Sequence, residues 1–314
     1  MRGLSGRGRA VLFLLLAAAC LLPWVGPAAA LAGGILFSLV LGNPGPGRTA
    51  LWSKALLQAS VVGLGFGLGL ETVLRVGARS AVYTVVGIAL TLAAGALLGR
   101  LAGTSGPLST LISFGTAICG GSAIAAMAPV VKAKSDEIAV SLATVFTLNA
   151  AALLLFPAVG HHLHLDEGQF GIWAALAIHD TSSVVGAASA FGPQALALAT
   201  TVKLTRALWI MPCVLGAALL SRSDQKAKFP LFVLGFVAAA GVRTLLPSLL
   251  PLWDALYAVA RQSLVLTLFL IGTGLTRDVL RRVGVRPFAQ GAALWLLVSA
   301  ATLAAIVSGL IPAL

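Results

Sequence analysis

Charge is scarce in this chain. Only 10% of its 314 residues are Asp, Glu, Lys or Arg, against roughly 25% in an ordinary soluble domain, and 59% are hydrophobic. Acid is scarcest, with nine acidic residues facing 21 basic ones. The apolar residues come in runs of about span length, which excludes a soluble protein and leaves no room for a separate soluble domain. Cys20, Cys119 and Cys213 fall in apolar segments without CxxC or Cys/His spacing, so neither a disulfide framework nor a zinc site is supported. They read as small buried residues. The formal charge of +12 does not point to nucleic acid, because the basic residues sit in short segments between apolar runs.

Breaks at turn-like, charged or Pro/Gly-rich points give eleven apolar spans, near 10–26, 28–42, 52–70, 80–99, 108–131, 138–160, 169–190, 195–220, 229–247, 258–275 and 287–313. Arg2, Arg7 and Arg9 before Ala10 resemble the start of a secretory signal, but the hydrophobic run that follows favours an uncleaved first helix. Lys and Arg stay on the cytoplasmic side of short loops. With eleven spans and a cytoplasmic N-terminus, thirteen cations lie inside and five outside, the five being Arg75, Arg79, Lys132, Lys134 and Arg261. Fusing the first two spans gives eight inside and ten outside, which violates the rule. The expectation is therefore one all-α polytopic domain over 1–314, N-terminus cytoplasmic and C-terminus periplasmic.

Internal similarity is visible. Gly67-Leu68-Gly69-Leu70-Glu71-Thr72-Val73 resembles Gly272-Thr273-Gly274-Leu275-Thr276-Arg277-Asp278, seven spans on and hence in opposite orientation. A second pair, Leu142-Ala143-Thr144-Val145 and Leu198-Ala199-Thr200-Thr201, lies two spans apart and implies the same orientation. One duplication with eleven spans cannot yield both.

Ionisable groups deep in a span cost about 2.5–3.5 kcal/mol on the insertion scale, so the few present mark function. The seventh span carries His179-Asp180-Thr181-Ser182-Ser183 and the eighth carries Lys203 and Arg206. Three residues apart, Lys203 and Arg206 share a helix face and present two positive charges to one volume, which suits an anion. His179, Ser182, Ser183 and Gly186 follow the spacing of one face and form a donor stripe. The alternative is that Asp180 simply neutralises one of the two cations. One carboxylate cannot neutralise both, so the surplus positive charge calls for an anion or a deprotonated Lys203, with a proton-linked role open for Asp180, His179 or Lys203.

The fifth span is poor in bulk around Thr116, Cys119, Gly120, Gly121 and Ser122. Gly120-Gly121 costs about 2 kcal/mol of helix propensity against alanine, so the helix is expected to unwind at mid-membrane, where its amides can meet an anion. A tight packing face is the competing reading. The tenth span is expected to break likewise at Gly272-Thr273-Gly274, and Asn149 is a further buried amide. His161, His162 and His164 with Asp166 and Glu167 superficially resemble a metal cluster, but read as a short loop. Adjacent residues on one helix diverge, so His179 to Ser183 form no catalytic triad, and no enzyme motif is present.

The segments Gly115-Thr116-Ala117-Ile118-Cys119-Gly120-Gly121-Ser122, His179-Asp180-Thr181-Ser182-Ser183 and Lys203-Leu204-Thr205-Arg206 together resemble the YeiH-type bacterial membrane family, whose members are labelled sulfate exporters. The resemblance covers nearly the whole chain. It implies membership of the cation/proton antiporter and bile-acid symporter superfamily: two inverted five-helix repeats with broken crossing helices, here 28–160 and 169–313, after an extra N-terminal helix at 1–27. It also implies an inner-membrane transporter, with a dimer common among such proteins. The sodium–proton antiporters' pair of adjacent mid-membrane aspartates is absent.

These readings converge on a secondary transporter of a small anion such as sulfate or a sulfonate. Its expected site is Lys203, Arg206, His179, Asp180, Thr181, Ser182, Ser183, Thr116, Cys119, Gly120, Gly121, Ser122, Asn149 and Thr273. The expected partners are the anion, a coupling proton or sodium ion, membrane lipid and a second copy of the chain, with no nucleic acid, metal or cofactor. Two alternatives stay open, a coupled carrier of a neutral or amphipathic solute and a non-transporting scaffold or sensor.

Overall fold

Proline and aspartate set many of the helix starts. Pro27, Pro46, Pro107 and Pro193 each stand at the first or second position of a helix, where the missing N–H costs no bond. Asp166 and Asp180 cap two others with their carboxylates. The computed structural model describes residues 6–221, 231–274 and 284–312, and among them the chain is helical with no strand.

In chain order the helices are α1 (Gly6–Ala19), α2 (Pro27–Leu41), α3 (Pro46–Gly65), α4 (Leu70–Ala102), α5 (Gly106–Ala117), α6 (Gly121–Met127) and α7 (Ser135–His162). There follow α8 (Glu167–Ala177), α9 (Thr181–Phe191), α10 (Pro193–Leu208), α11 (Ile210–Ser221), α12 (Leu231–Leu245), α13 (Leu250–Gly274) and α14 (Val285–Val307). Five helical stretches are long and apolar enough to cross a membrane: Leu70–Ala102, Ser135–His162, Pro193–Leu219, Pro247–Gly274 and Val285–Val307. Shorter apolar helices cover Ala29–Leu41 and Leu231–Leu245. This is the build of a polytopic membrane protein.

The chain divides into two compact units. The first, Met1–Val73 with Phe232–Leu280, packs α2 and α3 along α13. Gly272 lets the backbones approach, since a Cβ there would stand 2.5 Å from the Leu31 carbonyl oxygen. Gly34 sits as tightly on the Phe269 carbonyl. Gln262 Nε2 donates to the carbonyls of Cys20 and Leu22, tying down the end of α1. Arg243 donates to the Phe66 carbonyl and pairs with Asp254 at 2.7 Å. The expected break of the tenth span is not found: α13 runs unbroken to Gly274, and Gly272 serves close packing instead. The basic segments at 222–228 and 277–282, and the second copy of the Gly67 similarity beyond Gly274, lie outside the described residues.

The second unit, Leu74–Leu231 with Arg281–Leu314, is built on α7. Helix α14 joins its neighbours through polar contacts: Gln290 Nε2 donates to the Gly95 carbonyl and to Ser109 Oγ, and Trp173 Nε1 donates to the Ser299 carbonyl. Phe156 stacks on Trp173 with centroids 4.2 Å apart.

Here the eleven-span expectation needs correcting, because the fifth and seventh spans turn back on themselves. Helices α8 and α9 form a hairpin. Phe170 near its start and Phe191 at its end stack with ring centroids 3.8 Å apart, although a straight helix would separate them by about 31 Å. Glu167, at the start of α8, accepts from the amides of Gln194 and Ala195 in the first turn of α10, and His161 of α7 stacks on Phe191. The base of this hairpin thus lies at the C-terminal end of α7. Helices α5 and α6 make the counterpart. Ser105 Oγ, preceding α5, donates to Glu137 Oε1 at 2.6 Å, and Glu137 also accepts the Lys134 amide at the start of α7. That hairpin's base lies at the N-terminal end of α7. The first arms have 12 and 11 residues, about 17 Å each, roughly half of a 30 Å hydrocarbon core.

Candidate functional site

The two hairpin tips meet beside the middle of α7. Helix α5 ends at Ala117, Ile118 leaves helical geometry at φ −121° and ψ −83°, and Gly120 turns the chain with φ +68°. A side chain is strained at that φ, and a Cβ on Gly120 would also stand 3.1 Å from Asp180 Cβ. The glycine-based break expected near 120 is therefore present. Its partner at Ile178-His179-Asp180 was not expected. There no glycine opens the helix; Asp180 stops it by capping α9, accepting the Ser182 amide at 2.9 Å and the Ser182 hydroxyl. Asn149, midway along α7, accepts the Asp180 amide at 3.3 Å and so pins this tip.

The tips repeat one another in sequence. Ala117-Ile118-Cys119-Gly120-Gly121-Ser122 and Ala177-Ile178-His179-Asp180-Thr181-Ser182 stand sixty residues apart with their breaks in register. The Leu142-Ala143-Thr144 and Leu198-Ala199-Thr200 similarity falls on α7 and α10, the long helices that follow each hairpin.

Lys203 and Arg206 lie on α10, 0% and 1% exposed, and both reach the tips. Lys203 Nζ donates to the Ile178 carbonyl at 2.7 Å and the Ala175 carbonyl at 3.3 Å. Arg206 donates from Nε to the Ala117 carbonyl and from Nη1 to the Leu176 carbonyl, each at 2.6 Å. These carbonyls end α5 and α8, where a helix gathers partial negative charge and lacks its own donors. The two cations thus share a face, as their spacing predicts, but they hold backbone oxygen. Neither makes an ion pair with Asp180, whose carboxylate is spent on α9.

Thirteen of the fourteen expected residues gather in this unit. Thr116, Cys119, Gly120, Gly121 and Ser122 belong to the first tip and its arms; His179, Asp180, Thr181, Ser182 and Ser183 to the second; Asn149, Lys203 and Arg206 to the flanking helices. Thr273 lies in the other unit, where its carbonyl accepts from Asn43 Nδ2 at 3.0 Å. The single donor stripe is corrected too: His179 precedes the start of α9, so only Ser182, Ser183 and Gly186 keep the helical spacing. Sequence reasoning missed Glu137 and Glu167 at the hairpin bases. The only local signal was a carboxylate in the first turn of a helix. Among the described residues no group of three His, Cys, Asp or Glu side chains is placed to hold a metal, and Asp166 and Glu167 are engaged in capping.

The profile of the family described as conserved hypothetical protein 698 matches residues 10–291. The chain belongs to that family. Its relatives include a UPF0324 membrane protein of Geobacter sulfurreducens, 61% identical over 294 residues that cover 94% of this chain and 95% of the relative. Another from Bdellovibrio bacteriovorus is 50% identical over 306 residues, covering 95% and 94%, and one from Bacteroides thetaiotaomicron is 49% identical over 284 residues, covering 90% and 86%. No solved structure matches the chain. The motifs quoted for the YeiH-type resemblance all fall within the matched segment, and with several apolar helices the protein is a multi-pass membrane protein.

Proposed function

We propose that the protein is a secondary transporter of a small anion, working by alternating access, with the two hairpins as its gates. The observation that carries this reading is the charge at the tips. Two fully buried cations, Lys203 and Arg206, stand with a single carboxylate, Asp180, at the hairpin tips. A buried surplus cation is costly unless an anion or a binding event compensates it, and intramembrane charges of this kind mark substrate paths. Lys203 and Arg206 supply the positive field, the tip residues from Thr116 to Ser122 and from His179 to Ser183 line the path, and Asp180 holds the second tip as the cap of α9.

The layout proposed is an inverted repeat, with nine crossings and two re-entrant hairpins in place of eleven crossings. Hairpin α5–α6 with α7, and hairpin α8–α9 with α10 and α11, then have opposite orientations, because one crossing separates them. The Gly67 and Gly272 similarity is also separated by an odd number of crossings, so both internal similarities now imply opposite orientations, although their unequal spacings of 205 and 56 residues keep them from being one duplication. The layout moves Lys132 and Lys134 to the cytoplasmic side, and the cations outside fall from five to three, Arg75, Arg79 and Arg261. The N-terminus stays cytoplasmic and the C-terminus periplasmic, in the bacterial inner membrane.

The test is flux into proteoliposomes of purified protein, with labelled sulfate, methanesulfonate, formate and nitrate, alongside Lys203→Met. Uptake of at least one anion by the wild type, lost in Lys203→Met that still unfolds cooperatively, is the expected result. No flux of any of them with intact protein overturns the reading and favours a non-transporting scaffold.

A further inference from the structure

Around the tips the chain leaves polar groups unanswered. Asn149 Nδ2, both ring nitrogens of His179 and Thr116 Oγ1 are buried without a hydrogen-bond partner, in residues 3%, 1% and 2% exposed. Each such group has given up its hydrogen bonds to water without replacement, so several of them around one pair of tips demand an explanation. Buried polar atoms without a partner also occur elsewhere among the described residues, as at Ser38, Tyr83 and Trp295, but these four belong to the two tips and the helix beside them. Because Asn149 Oδ1 accepts the Asp180 amide, its unpaired Nδ2 stands at the second tip, next in chain to His179. Thr116 precedes the Ala117 carbonyl that Arg206 holds at the first.

The unanswered groups are largely donors: the two amide hydrogens of Asn149, the ring N–H of a neutral histidine and a threonine hydroxyl. A ligand that meets them is acceptor-rich. The cations, by contrast, already give hydrogens to carbonyls on α5 and α8. With Lys203 protonated, the formal charges of the two cations and of Asp180 leave the tips at +1. A monovalent anion closes that balance, whereas a divalent one leaves a net charge buried, which a low-dielectric site penalises heavily.

We infer that Asn149 and His179 bind a small monovalent oxyanion directly, the chemical class of formate, nitrate and methanesulfonate, while Lys203 and Arg206 are positioning residues that fix its charge. The inference rests on the anion-carrier reading and narrows it, since it disfavours sulfate as the preferred substrate.

The experiment measures thermal stabilisation of purified full-length protein by formate, nitrate, methanesulfonate and sulfate at constant ionic strength. Wild type is compared with Asn149→Leu, His179→Leu, Lys203→Arg, Lys203→Met and Asp180→Asn. A monovalent anion is expected to stabilise the wild type with at least tenfold higher affinity than sulfate. That response should fall tenfold or more in Asn149→Leu and His179→Leu, persist in Lys203→Arg and vanish in Lys203→Met. Asp180→Asn keeps a capping side chain but raises the formal charge to +2, so the affinity ratio should move tenfold toward sulfate, a change that a purely structural role would not cause. If sulfate binds the wild type as tightly as the monovalent anions and Asp180→Asn leaves the ratio alone, the charge argument is overturned while the carrier reading stands. If Asn149→Leu and His179→Leu respond like wild type, the placement is overturned. If no anion stabilises the wild type, this inference and the carrier reading fall together.

Discussion

Arg206 is the side chain whose loss the fold should feel most. Its guanidinium gives 2.6 Å hydrogen bonds to the carbonyls of Ala117 and Leu176, and the residue is 1% exposed. Arg206→Met keeps most of the aliphatic stem and so limits the cavity, but strips both carbonyls of their charged donor. Hydrogen bonds to charged groups are worth about 1.5–3 kcal/mol each, so the expected loss is about 3–6 kcal/mol. A neutral interhelical bond in a membrane averages only about 0.6 kcal/mol, so the two cases separate cleanly. Arg206→Lys offers a point donor able to reach one carbonyl and should recover about half. The assay is reversible unfolding in mixed micelles titrated with denaturing detergent, with midpoint and slope for all three proteins. A loss below about 1 kcal/mol in Arg206→Met, or a lysine variant no better than the methionine one, would refute the view that this guanidinium holds the tips.

Three further outcomes are expected. Gly120→Ala forces a side chain onto φ +68° and against Asp180, so it should cost about 1–3 kcal/mol, read by the same titration; an unchanged midpoint would mean the turn is not held as described. Glu167→Ala removes the acceptor for the Gln194 and Ala195 amides and should cost about 2 kcal/mol, with faster amide exchange confined at first to the start of α10. Lys134→Cys and His162→Cys, in a background with Cys20, Cys119 and Cys213 replaced, should react with impermeant maleimide from opposite sides, Lys134→Cys from the cytoplasm; labelling of Lys134→Cys from the periplasm would restore eleven crossings.

The sequence made the first tip legible because Gly120-Gly121 is a local feature with a local cost. The second tip escaped because Asp180 interrupts the helix through capping, and an Asp in an apolar run reads first as a buried charge. The face shared by Lys203 and Arg206 followed from helical spacing alone. What they face did not, since carbonyls carry no letter in a sequence and every residue has one. Re-entry escaped for another reason: 108–131 is long enough to cross a membrane, and only contacts such as Ser105 with Glu137 reveal that the chain comes back. Gly272 misled in the opposite direction, because a glycine that allows two backbones to touch looks the same on paper as one that breaks a helix.

One side chain touching both tips has a consequence for order in time. The last turns of α5 and α8 hang on neighbouring nitrogens of the same guanidinium, so neither can swing away without disturbing the hold on the other. Their bases lie at opposite ends of α7, so in the proposed layout each arm, if it moves, would open toward a different compartment. In the proposed carrier, a leak would require both to be displaced at once, and that is the state in which Arg206 would have lost every bond described for it. The interlock of such a carrier would rest on one residue's hydrogen-bond count, without any long-range signal along the helices.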